Sequence, residues 1–138
     1  MNIKKFILAW IVTTILFLVL DMLFDTLGGY LTANFTGAQV ESPPGIESKI
    51  FTGLIFEVIN GFILVLVYAI IHPSIPGKGL VKGISYGLIV WALRVLMWAF
   101  STYMMFEVSP VLLAVTTILG LLEILILCVV IAAIYKKP

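Results

Sequence analysis

Charge is what this sequence has least of. Its 138 residues include only eight Lys and Arg and seven Asp and Glu, too few to build a water-facing surface of mixed charge. The net charge is +1 and no basic run exceeds two residues, so the electrostatic footprint of a nucleic-acid partner is absent. The only cysteine, Cys128, lies inside an apolar run. That excludes an intrachain disulfide and a Cys-rich metal site, and predicts a small buried hydrophobe. The only histidine, His72, excludes paired histidine ligation of haem and a multi-histidine zinc site within one chain. No Ser, Cys or His constellation suggests nucleophilic catalysis. The sequence therefore points to no cofactor, no metal and no enzymatic reaction.

What is abundant is hydrocarbon. Hydrophobic residues make up 62% of the chain and the mean hydropathy is +1.23, well outside the composition of water-soluble domains. Four segments reach the roughly 20 apolar residues that a membrane-crossing helix needs: 6–27, 50–71, 84–106 and 111–135. The expected fold is an all-α integral membrane protein, one domain over 1–138, built as a four-transmembrane-helix bundle in lipid.

The breakers agree with that division. Gly28-Gly29 and Ser42-Pro43-Pro44-Gly45 are expected to interrupt any helix and to define a long loop over 28–49. His72-Pro73 through Gly79, with two prolines and two glycines, predicts a turn. Ser109-Pro110 reads as an N-cap followed by proline at the first helical position. The lysines before the first apolar run resemble a signal peptide, but no small-x-small cleavage pattern follows promptly, so the segment reads as an uncleaved anchor.

Orientation follows from the basic residues. Lys4, Lys5, Lys78, Lys82, Lys136 and Lys137 share one side if the chain crosses four times, leaving Lys49 opposite and Arg94 inside a helix. The positive-inside rule makes that side cytoplasmic, with both termini in (N-in/C-in). Asp25, Glu41, Glu47 and Glu107 fall on the other side.

A simple anchor has no use for Arg94, Glu57, Glu123 or Asp21. A charge at a helix centre costs about 2.5 to 3.5 kcal/mol on insertion scales, so such residues face a bundle interior and find partners. By helical rise, Asp21 and Glu57 should lie roughly 10 Å below the outer interface with Arg94 slightly deeper, and Glu123 about two turns further in. Arg94 is thus expected to face Glu57 and Asp21, with Glu123 the acid least suited to it. Three acids against one arginine cannot all stay ionised cheaply, so at least one is expected to be protonated at neutral pH.

Small residues suggest the packing faces. Gly53, Glu57, Asn60 and Gly61 share one face of the second helix. Gly79, Gly83 and Gly87 repeat every four residues in the third, leading to Arg94 and Ser101 on one stripe. Thr116, Gly120 and Glu123 share a face of the fourth helix, and Thr14, Asp21 and Asp25 share one of the first. A faint internal repeat links Gly53–Ile59 with Gly120–Leu125.

The turn Gly77-Lys78-Gly79-Leu80-Val81-Lys82-Gly83-Ile84-Ser85-Tyr86-Gly87-Leu88, followed by a Pro110-started helix bearing Glu123 and the Ile134-Tyr135-Lys136-Lys137 end, resembles a group of uncharacterised small bacterial inner-membrane proteins. The likeness covers roughly the last two thirds of the chain and excludes the loop at Ser42–Gly45. It implies a four-helix inner-membrane fold and nothing catalytic.

Two functions remain open. One is a non-enzymatic accessory or interaction subunit in the lipid bilayer, a homo-oligomer or partner of another membrane protein through the glycines of the third helix. The other is a small transporter or channel passing a proton, cation or small polar ligand along a seam of Glu57, Arg94 and Glu123.

Overall fold

A computed structural model describes residues 2–36, 46–107 and 110–135. Those residues form helices and no strand. The elements are α1 (Ile3–Thr36), α2 (Ile46–Ile71), a 3-10 turn (His72–Ser74), α3 (Leu80–Trp91), a π turn (Ala92–Leu96), α4 (Met97–Met105) and α5 (Pro110–Tyr135). α3, the π turn and α4 run on as one span. Four helical stretches are long and apolar enough to cross a membrane: Ile3–Leu31, Phe51–Ser74, Leu80–Met105 and Pro110–Tyr135. The shortest holds 24 residues, roughly 36 Å by helical rise, against a hydrocarbon core of about 30 Å.

Several boundaries depart from the sequence reading. α1 continues through Gly28-Gly29 to Thr36 instead of stopping at Leu27. Glycine weakens a helix by about 1 kcal/mol but forbids nothing, and here it has a use, because an added Cβ at Gly28 would lie 3.3 Å from Leu119 Cδ1 on α5. α2 begins at Ile46, a turn earlier than expected. α3 begins at Leu80 because Gly79, with φ +58°, caps it from outside. Gly79 is therefore a turn glycine and not part of the packing stripe. Glu41, Ser42–Gly45, the expected Ser109 cap, Lys136 and Lys137 lie outside the described residues.

Both faces of each span are apolar, so helix facing is decided by shape. On α1, Phe6, Ala9, Thr13, Phe17 and Leu20 are buried, while Ile7, Ile11, Ile15, Val19 and Leu23 lie exposed on the opposite side. α5 is central, packed against α1 on one side and α3 on the other, and α2 lies along α1. The ring closes where α2 meets α3, with the Tyr86 hydroxyl donating to the Leu64 carbonyl at 2.7 Å and the Tyr68 and Tyr86 rings edge to face at 5.1 Å.

The stripe joining the third span to α5 is closely packed. An added Cβ at Gly83 would come within 2.7 Å of both the Cys128 oxygen and Val129 Cα, and one at Gly87 within 3.0 Å of Leu125 Cδ2. Beyond these, Trp91 Nε1 donates to the Thr117 carbonyl at 3.0 Å, Val95 covers Gly120 and Ala99 is buried. The stripe thus advances by four residues through Gly83, Gly87, Trp91, Val95 and Ala99. In a pure α-helix that interval drifts around the axis, and the wider π turn restores the register. The same extra residue throws Ser101 onto the exposed surface, correcting its place on the stripe.

The two ends of the bundle differ. The half nearest the termini holds the core, including Tyr68, Tyr86, Leu127, Cys128 and Ile131. Lys82 Nζ donates there to the His72 carbonyl, and the rings of Tyr68 and His72 stack at 5.9 Å. In the loop-side half, residues 51–56 of α2 are exposed on every face, and Met104 of α4 is 84% exposed.

Candidate polar site between the spans

Each acid enters this site from a different helix. Asp21 comes from α1, Glu57 from α2 and Glu123 from α5. Asp21 is a neighbour of both Glu57 and Glu123. A carboxyl–carboxyl hydrogen bond requires one proton in the pair, since two carboxylates are both acceptors. Two oxygens of the cluster, Glu57 Oε2 and Glu123 Oε1, are buried and have no hydrogen-bond donor among the described residues.

Glu123, expected two turns deeper than Glu57, has Asp21 as a neighbour.

Arg94 occupies the middle of the π turn, a feature that often marks functional positions. Its Cζ lies 5.6 Å from the centroid of the buried Phe17 ring, a cation–π distance. Its charge is felt at Glu57. Among the described residues no direct ion pair joins Arg94 to Glu57, Asp21 or Glu123, so the expected bridge is replaced by an aromatic contact and a longer-range field.

Arg94 and Glu123 instead line one cavity of about 540 Å³, together with Asp25, Thr116, Gly28 and Gly29. Phe24, Val95, Trp98 and Leu119 form its apolar walls. The lining comes from α1, α5 and the third span, with no described residue of α2. Asp25 was read from sequence as an acid of the outer side. Its spacing from Asp21, then from Gly28 and Gly29, on one helical face was the signal that could have placed it here.

Asn60 is half-buried on α2, and among the described residues no hydrogen bond joins it to the acids. Gly61 meets α1, where an added Cβ would lie 2.7 Å from Thr14 Oγ1. Gly53, on the same predicted face, has nothing within 4 Å, because the loop-side part of α2 stands clear of the bundle. Among the described residues, no group of three or more His, Cys, Asp or Glu side chains is arranged to hold a metal ion.

No family model matches the chain, and neither a curated protein nor a solved structure matches it.

Proposed function

We propose that this chain is an integral protein of a cytoplasmic membrane, N-in/C-in, and works as a small transporter that takes a proton, a cation or a small polar solute at Asp21, Glu57 and Glu123 beside Arg94. The one-sided lysines support the orientation, and kinship with the small bacterial inner-membrane proteins it resembles belongs to the same proposal. The observation that carries the function is that three carboxyls from three helices converge next to an arginine that none of them directly neutralises. Charges kept only to lock helices together would be expected in closed pairs, because unpaired intramembrane charge is expensive. Here the arginine and one acid border open volume instead.

Purified protein in proteoliposomes carrying a pH-sensitive dye tests this. An imposed gradient should drive proton or cation flux above that of empty vesicles, and Glu57→Gln or Glu123→Gln should cut it at least about tenfold, as loss of a positioned proton-transfer group does. Flux indifferent to both substitutions would remove the transporter reading.

A second reading, as an accessory or interaction subunit, is favoured by the bare loop-side part of α2, where Gly53 faces open space. The Gly83 and Gly87 stripe does not support assembly, being occupied by α5 of the same chain. Cysteine crosslinking at Gly53 in native membranes would separate the readings, since a partner gives a discrete adduct and lipid gives none.

A further inference from the structure

The cavity at Arg94 has a chemical signature beyond polarity. It holds one cationic side chain and two acidic ones, Asp25 and Glu123, in the same open volume of about 540 Å³. That volume falls within the range of small-molecule sites, about 300 to 1,000 Å³. Opposite charges attract across such a space, more strongly the less water it holds. Here Arg94 rests on the Phe17 ring and Glu123 Oε1 is buried with no hydrogen-bond donor among the described residues. The cavity thus offers Arg94 to an anionic group and the two acids to a cationic one.

The walls add a third requirement. Trp98 and Phe24 contribute aromatic surface, suited to methylene chains and to ammonium groups. Three helices build the lining, and no described residue of α2 belongs to it. A ligand seated here can extend an apolar tail sideways, past α2, without crossing the polar floor.

We infer that the cavity binds a zwitterionic amphiphile, with its anionic group on Arg94, its ammonium between Asp25 and Glu123, and its apolar part leaving on the α2 side. The shared chemistry is that of a phosphoethanolamine headgroup, carried by a membrane lipid or by a soluble compound. This rests on the reading of the seam as a ligand site and names the class of ligand it takes.

Gly29 provides a test that does not endanger the fold. It lines the cavity, and a Cβ added there meets nothing within 4 Å, so Gly29→Leu fills open space while raising helix propensity. Purified protein in nonionic micelles should bind a short-chain phosphatidylethanolamine saturably at one per chain by native mass spectrometry. Gly29→Leu should weaken this at least about tenfold with helicity unchanged, the loss expected when a site's volume is taken.

Partial ligands then assign the groups. The same-chain phosphatidic acid should lose affinity and become insensitive to Glu123→Gln. The same-chain alkylamine should lose affinity and become insensitive to Arg94→Gln. Free phosphoethanolamine binding as well as the lipid identifies a soluble source, and binding of the lipid alone identifies the membrane; both support the headgroup chemistry. An alkylamine binding as tightly as the zwitterion, or equal competition by the uncharged diglyceride, overturns the inference. Glu123-dependent flux without zwitterion binding also overturns it while leaving the transporter reading intact, whereas zwitterion binding without flux supports the site and refutes transport.

Discussion

Glycine-to-alanine substitution adds the same methyl group everywhere, so its sign reads out local packing. Gly83→Ala is the informative case. Its new Cβ would stand 2.7 Å from the Cys128 oxygen, 2.7 Å from Val129 Cα and 2.9 Å from Ala132 Cβ. Carbon atoms prefer about 3.5 to 4.0 Å, and two of these neighbours are backbone that cannot rotate away. α3 and α5 must therefore part by at least about 0.8 Å over the turn concerned, to reach that preferred spacing. Overpacking of this kind costs about 1 to 3 kcal/mol, and the gain in helix propensity returns about 1 kcal/mol. The net expectation is about 1 kcal/mol of destabilisation, from the same two terms.

Gly29→Ala and Gly53→Ala meet nothing within 4 Å, so only the propensity gain survives and each should stabilise by about 0.5 to 1 kcal/mol. Gly87→Ala falls between them, because its nearest neighbour is the movable Leu125 Cδ2 at 3.0 Å. Unfolding in mixed micelles by added SDS, followed by circular dichroism, measures the series. Gly83→Ala no less stable than Gly29→Ala would refute the account of the α3–α5 stripe.

Tyr86→Phe removes the hydroxyl that donates to the Leu64 carbonyl while keeping the ring against Tyr68; it should cost about 0.5 to 1.5 kcal/mol in the same titration. Trp91→Phe removes the indole donor to Thr117 and should cost a similar amount, about 1 kcal/mol, plus whatever the smaller ring loses in packing. Deleting Leu93, which is 71% exposed within the π turn, should turn the third span into an uninterrupted α-helix with both flanking faces preserved. The protein should remain folded by circular dichroism and lose Glu123-dependent flux, since Arg94 is re-aimed; full activity in the deletion would show that the π turn has no part in the site.

The four spans were legible because apolar length is a signal written along the chain. The number of helices needed no knowledge of contacts. Their ends were harder to see: Gly28-Gly29 carries the letters of a breaker, yet α1 runs through it because Gly28 allows the approach of Leu119. The small-residue stripe was legible at Gly83 and Gly87, but its partner was not. Nothing in the glycine spacing distinguishes a neighbouring chain from α5, and only the tertiary arrangement shows that α5 takes that face. Arg94 was recognisable as an interior charge from its cost in lipid. Its partner was not recognisable, because a π turn has no residue signature in Ala92–Leu96 and shifts every depth and facing estimate beyond it.

The contrast between the two halves of the bundle bears on how any transport cycle could work. At the terminal side, Tyr68 and Tyr86 are almost wholly buried, at 2% and 1% exposure, and Tyr86 ties α3 to the backbone of α2. A solute moving between the sides would have to pass this plug, so it is the part that must open. The loop-side parts of α2 and α4 make few contacts to break, and lean packing is where local motion is cheapest. Glu57 lies on α2 between these regions, a neighbour of Asp21 on α1. A displacement of α2 would therefore do two things at once: move Glu57 relative to Asp21, and pull the Leu64 carbonyl from Tyr86, loosening the plug. Glu57 and Leu64, the α2 residues that face the acids and Tyr86, lie seven residues apart on one helix, so a movement of α2 would be felt at both.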